Sequence, residues 1–125
     1  MGEKAVVLVH GGCGNIPNSR VAPKLAGVKT AVLAAIKALQ GECSSSQKAA
    51  CEAVASMEND FAFNAGYGSV LNEDGEVEMD AAVMNGKDLA LGGIGAVGII
   101  FLCSYYLSYH TLISINFGLL YLNIA

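Results

Sequence analysis

FNAGYGSVLNEDGEVEMDAAVMNG, residues 63–86, carries more information than any other part of the 125-residue chain. Its glycines at 66, 68 and 75 punctuate two segments of different period. From Glu76 to Val83 the side chains alternate, with Val77, Met79, Ala81 and Val83 on one face and Glu76, Glu78, Asp80 and Ala82 on the other. That period of two is a strand with one packed face. Asn72-Glu73-Asp74-Gly75 before it supplies hairpin turn chemistry, so a strand over Ser69–Leu71 is expected to pair back onto it. Asp80 adjoins an Ala-Ala-Val run that predicts burial, where a carboxylate needs partners.

Upstream, Lys4–His10 (KAVVLVH) is short, Val-rich and followed by glycines, which reads as a fully buried strand. Gly11, Gly12 and Gly14 then open a loop, HGGCGN, whose backbone amides can approach an anion or oxyanion closely. A tight turn without a ligand explains the same glycines. The similar loop of α/β-hydrolases requires a G-x-S-x-G nucleophile elbow, which this chain lacks. Between Pro23 and Gln40, the residues Leu25, Val28, Val32, Ile36 and Leu39 step by three or four, predicting a helix that buries this face and turns Lys24, Lys29 and Lys37 elsewhere. Ser44–Ser46 offers N-cap hydroxyls to a second helix, with Ala50, Val54 and Met57 on one face and an end near Asn59. A further strand begins near Leu91. The order strand, two helices, three strands predicts a layered α/β or α+β domain.

Composition excludes several classes. A net charge of -4 with seven basic residues provides no cationic stripe, so nucleic acid is not an expected partner. The four cysteines form no C-x-x-C pair and no apolar leader precedes the first strand-like run, so a reducing cytoplasm is the expected location. Cys13, in the glycine loop, reads as an ordinary small side chain rather than a reactive thiol. Gly93-Ile-Gly-Ala-Val-Gly98 matches G-x-G-x-x-G, yet it lies within an apolar run with no acidic residue about twenty positions on, and reads as close backbone packing. The carboxylates at 73, 74, 76, 78 and 80 have neither calcium-loop spacing nor a neighbouring histidine.

The strand with HGGxG, the two amphipathic helices, MENDFAFNAGYGSVLN (57–72) and GEVEMDAAVMNGKDL (75–89) together resemble the amino-terminal part of plant-type L-asparaginases, also called isoaspartyl peptidases, through about Val97. These are threonine-dependent Ntn-hydrolases. The resemblance implies one incomplete half of a four-layer αββα sandwich over residues 1–97, acting in the full family on L-asparagine and β-aspartyl peptides. It implies a threonine freed by self-cleavage, whose α-amino group is the base and whose hydroxyl is the nucleophile. Thr30 and Thr111 lack the expected G-T-x-G context, so no catalytic residue is assigned and these 125 residues are expected to be inactive alone. By the same resemblance, Asn64 stands near the nucleophile and His10, Gly11 and Gly12 beside the active site. The carbonyls of Met57, Glu58, Asp60, Phe63, Ala65 and Tyr67 would hold a structural sodium ion, with no other cofactor. A carboxyl-terminal half or full-length subunit is the implied partner, and a small-molecule substrate binds only once the site is completed.

Residues 98–125 depart from the family pattern, with no Asp, Glu, Lys or Arg after Asp88. Three readings stand. The run exceeds the roughly 20 residues needed to span a bilayer, which would make a tail-anchored isoform, although its tyrosines, His110 and Asn116 count against this. A buried helix would need a partner surface. A translated intron or shifted splice product accounts for the Ile, Leu, Tyr, Phe and Asn bias, and is the reading the composition favours.

Overall fold

The computed structural model describes residues 5–42 and 44–98, and the divergent tail after Gly98 lies outside them. Two helices, α1 (Asn18–Leu39) and α2 (Ser46–Glu58), pack against each other. A 3-10 turn at Gly66–Gly68 leads to a two-stranded antiparallel sheet of β1 (Met79–Met84) and β2 (Leu91–Val97). This is a small mixed α/β arrangement.

α1 begins five residues before the expected start at Pro23. Its first turn closes where Arg20 N-H donates to the Pro17 carbonyl at 2.8 Å, and Pro23 is carried inside the helix. The buried stripe also differs from expectation. Gly27, Ala31 and Ala35 are buried, while Leu25 and Ile36 are exposed and Val28, Val32 and Leu39 flank the contact. Gly27 admits Phe63 and Asp60, which follow α2, and the larger apolar residues stand beside this buried stripe rather than in it. α2 follows the sequence reading: the Ser45 hydroxyl accepts from Lys48 N-H at 3.0 Å, and Val54 and Met57 are buried. Ala50 is half-buried, and Asn59 caps the end.

Five of the ten core residues are alanines (Ala31, Ala35, Ala49, Ala53, Ala65), joined by Cys51, Val54, Met57, Phe63 and Val83. Phe63 and Val54 are the largest fully buried side chains. Apolar transfer scales with area at about 25 cal/mol per Å², so an alanine-rich core gains little per residue. Phe63 contributes correspondingly more.

The expected buried strand at residues 4–10 forms no ladder among the described residues. Val7 and Val9 pack on the core, whereas Val6 and Leu8 are 90% and 94% exposed. The alternation is that of a strand, but among the described residues the backbone has no neighbouring strand to bond. Ser69–Leu71 likewise forms no strand, and Val70 and Leu71 are exposed. The Asn72–Gly75 turn does close, with Asn72 N-H donating to the Glu76 carbonyl at 2.8 Å, but pairing stops at that rung. β1 starts at Met79, later than Glu76, and its alternation holds: Met79 and Val83 are buried while Asp80 is exposed. Asp80 thus lacks the predicted burial. Its carboxylate is nevertheless engaged, since Ala96 N-H donates to Oδ1 at 2.9 Å across an irregularity in the β1–β2 register. A Cβ on Gly95 would lie 3.1 Å from that oxygen, which agrees with reading the 93–98 glycines as close packing.

Candidate functional site

The His10–Gly14 loop and the segment following α2 meet around one aromatic ring. Phe63 is 1% exposed. A Cβ added to Gly11 would stand 3.0 Å from Phe63 Cε1 and 2.9 Å from Val28 Cγ2, and one added to Gly27 would stand 2.5 Å from Phe63 Cε2 and from Asp60 Oδ2. Glycine at 11 and 27 therefore lets the loop and α1 close on the ring from two sides. Lys24 sits over a third, with Nζ 4.9 Å from the ring centroid and donating to the Gly11 carbonyl at 3.4 Å. A cation over an aromatic face contributes about 0.5–2 kcal/mol depending on desolvation. One ammonium thus ties the glycine loop to the Phe63 segment.

Phe63 N-H donates to the Asp60 carbonyl at 3.2 Å, and Asp60 Oδ1 accepts from Ala62 N-H at 2.9 Å. The next residue is Asn64. It is half-buried, and its Oδ1 accepts from Val70 N-H at 2.8 Å, which fixes the chain where it leaves the 3-10 turn. Of the residues marked in the sequence, Gly11 and the segment bearing Asn64 are brought together through Phe63. His10 is exposed, and its Nδ1 accepts from Gly12 N-H at 3.2 Å within its own loop. Cys13 is exposed beside it.

Residues 57–68 double back on themselves. The carbonyls of Met57, Asp60 and Ala65 accept from Asp60, Phe63 and Gly68 N-H groups at 3.1, 3.2 and 3.1 Å. Gly66, with φ +53°, passes so close to the Glu58 carbonyl that a Cβ would collide with it, and Gly68 passes the Phe63 carbonyl in the same way. Side chains at 66 and 68 would therefore collide with the main chain of the turn. Of the six carbonyls marked for sodium in the sequence, those of Met57, Asp60 and Ala65 accept loop hydrogen bonds, and those of Glu58 and Phe63 lie against Gly66 and Gly68. Among the described residues, no group of three His, Cys, Asp or Glu side chains could hold a metal ion. Phe61 and Tyr67 pair on the outer surface of the turn, their ring centroids 4.1 Å apart.

Lys24, Gly27 and the Asp60 side chain were not legible as parts of this site. The spacing contains a signal for the first two: 24, 27, 28, 31 and 35 form one helical face, so Lys24 lies on the packed side rather than away from it.

The sequence model of the asparaginase family matches residues 3–101, and the chain belongs to that family. It is 51% identical over 92 residues to the isoaspartyl peptidase/L-asparaginase of Danio rerio, covering 74% of this chain and 29% of that protein. Its identity to the Xenopus laevis protein of the same description is 47% over 94 residues, covering 75% of this chain and 30% of the relative. A plant-type L-asparaginase of Thermococcus kodakarensis is 46% identical over 94 residues, with 74% and 30% covered. The chain thus spans about 30% of the length of these curated relatives.

Proposed function

We propose that residues 5–98 form one wall of an active site that hydrolyses side-chain amides or β-aspartyl peptides, and that these 125 residues do not catalyse alone. The closing of the Gly11 loop and the Asn64 segment onto Phe63 carries this reading, because two segments 52 positions apart in sequence, both expected beside the chemistry, share one support. In this reading Asn64 presents a polar side chain next to an incoming nucleophile, while the loop of His10, Gly11 and Gly12 lines the approach. The nucleophile would come from the carboxyl-terminal half of the family. Thr30 cannot serve, since its hydroxyl donates to the Ala26 carbonyl at 3.1 Å inside α1.

The completing partner is a carboxyl-terminal half of the same family. Val6 and Leu8 support this, because they line the exposed side of an extended segment whose backbone has no ladder among the described residues. A partner strand would supply both the bonds and the cover, making the two-layer arrangement part of a four-layer sandwich. A sodium ion would be held by the carbonyls of Met57, Glu58, Asp60, Phe63, Ala65 and Tyr67. When bound it balances converging carbonyl dipoles, and so stiffens the turn that carries Asn64. Cytoplasmic residence fits the free thiols of Cys13 and Cys51. No helix among the described residues is long and apolar enough to cross a membrane.

The test measures ammonia release from L-asparagine and β-aspartyl dipeptides by the purified chain, alone and co-expressed with the carboxyl-terminal part of the Danio rerio relative. No turnover alone and turnover in the complex, lost with Asn64→Ala, is the expected result. Turnover by the isolated chain after rigorous purification would overturn it, as would an inactive complex that forms stably.

A further inference from the structure

We propose that Asn85 is a site of spontaneous deamidation, through a cyclic imide formed with the Gly86 amide, and that this fold leaves the site open while protecting its other Asn and Asp turns. Asn85-Gly86 begins the loop between β1 and β2. Gly86 is exposed, and a Cβ added there would meet nothing within 4 Å. Among the described residues, no hydrogen bond engages the Gly86 N-H. The nucleophilic nitrogen is therefore free, and its glycine backbone can rotate toward the attacking geometry.

The electrophile is held as the reaction needs. Asn85 Oδ1 accepts from Lys87 N-H at 3.1 Å, which folds the side-chain amide forward over the Gly86 peptide. That donor also addresses the oxygen on which negative charge develops when Cγ is attacked. The Gly86 nitrogen gives its proton to solvent and bonds to Asn85 Cγ, the Cγ–Nδ2 bond breaks, and the amide nitrogen leaves as ammonia with a proton from water. Water then opens the imide at either carbonyl, giving isoaspartate or aspartate. The net change is asparagine plus water to acid plus ammonia, with no oxidant or further reactant.

The other turn with this sequence pattern is closed by its own hydrogen bonds. In Asp74-Gly75 the Gly75 N-H donates to the Asn72 carbonyl at 3.1 Å, and a carboxylate is a poorer electrophile than an amide. Asn64 and Asn72 precede Ala65 and Glu73, whose side chains restrict the backbone rotation that a following glycine allows. Conversion at 85 would insert a methylene into the main chain between the Asn85 N-H bond to the Ala90 carbonyl and the Asn85 carbonyl bond from Leu89 N-H, both 2.9 Å. It would also add a negative charge to the hairpin loop.

The experiment ages the purified full chain at neutral pH and physiological temperature, cleaves it with trypsin, and sequences the 49–87 peptide by electron-transfer fragmentation. The expected result is an amide-to-acid mass change at Asn85 with isoaspartate exceeding aspartate, while Asn59, Asn64 and Asn72 in the same peptide remain amides. Gly86→Ala, for which the loop has room, is expected to slow the loss about tenfold or more because a Cβ restricts the rotation. Circular dichroism establishes that this variant is folded. A chain that protects Asn85 as fully as Asn64, a product that is aspartate without isoaspartate, or an unchanged rate in Gly86→Ala would each overturn the proposal.

Discussion

Replacing Gly27 by alanine sets two effects of opposite sign against each other. In a solvated helix the change stabilises by about 1 kcal/mol, since glycine loses more backbone freedom on folding. Here the new Cβ would stand 2.5 Å from both Phe63 Cε2 and Asp60 Oδ2. Carbon atoms in contact settle near 3.5–4.0 Å, so the ring would have to retreat by about 1 Å. It has little freedom to do so, because Gly11 and Val28 close one side and Lys24 lies over its face. Overpacking of this kind costs about 1–3 kcal/mol, and two obstructed neighbours place it at the upper end. Subtracting the helix gain leaves a net loss of about 2 kcal/mol, or roughly 8–16 °C in midpoint for a domain of this size. Urea titration followed at the helical band measures it, with Ala26→Gly on the exposed side of α1 as the control that should lose about 1 kcal/mol. Adding Phe63→Leu should recover part of the Gly27→Ala loss relative to the sum of the two single changes. A Gly27→Ala chain as stable as the parent, with an unchanged denaturant slope, would refute the reasoning.

Gly66→Ala combines a left-handed backbone at φ +53° with a collision against the Glu58 main chain, so a loss above about 3 kcal/mol is expected in the same titration. Gly66→Asn should be no better, because tolerance of that φ does not remove the collision. Asn72→Ala deletes the oxygen that accepts from Asp74 and Glu76 N-H groups at 3.0 and 2.9 Å, at a cost of about 1–2 kcal/mol, whereas Asn72→Asp keeps an acceptor and should stay within about 0.5 kcal/mol. Val6→Ser with Leu8→Ser should leave the isolated chain's unfolding midpoint nearly unchanged, since both are at least 90% exposed. The same pair should abolish co-purification with the completing half, and binding that survives would remove these residues from the interface.

Local chemistry was the most legible part of this chain. The Ser45 cap, the α2 face and the Asn72 turn each depend on side chains within four positions of the backbone they serve, so spacing alone locates them. The buried stripe of α1 was not legible in the same way. Both Leu25–Leu39 and Gly27–Ala35 repeat at helical spacing, and size favours the first as a core, but a close helix partner selects the second. The strands expected at 4–10 and 69–71 have strand-like composition without a neighbour to pair with among the described residues, and a ladder is a property of two segments. The hairpin loop at 85–90 did carry a sequence signal, Asn-Gly after an alternating run, that was not taken up in placing the turn. At the site, the motifs marked the glycine loop and Asn64, whereas Lys24 and Gly27 became visible only once Phe63 was seen between them.

The alanine-rich seam between α1 and α2 has a kinetic consequence. Side chains without rotamers surrender almost no conformational entropy when they are fixed, and the seam joins helices separated by a short connection. Contacts of low sequence separation form early. The helical pair is thus expected to assemble while later segments are still being synthesised, as a template on which the Phe63 turn and then the β1–β2 hairpin settle.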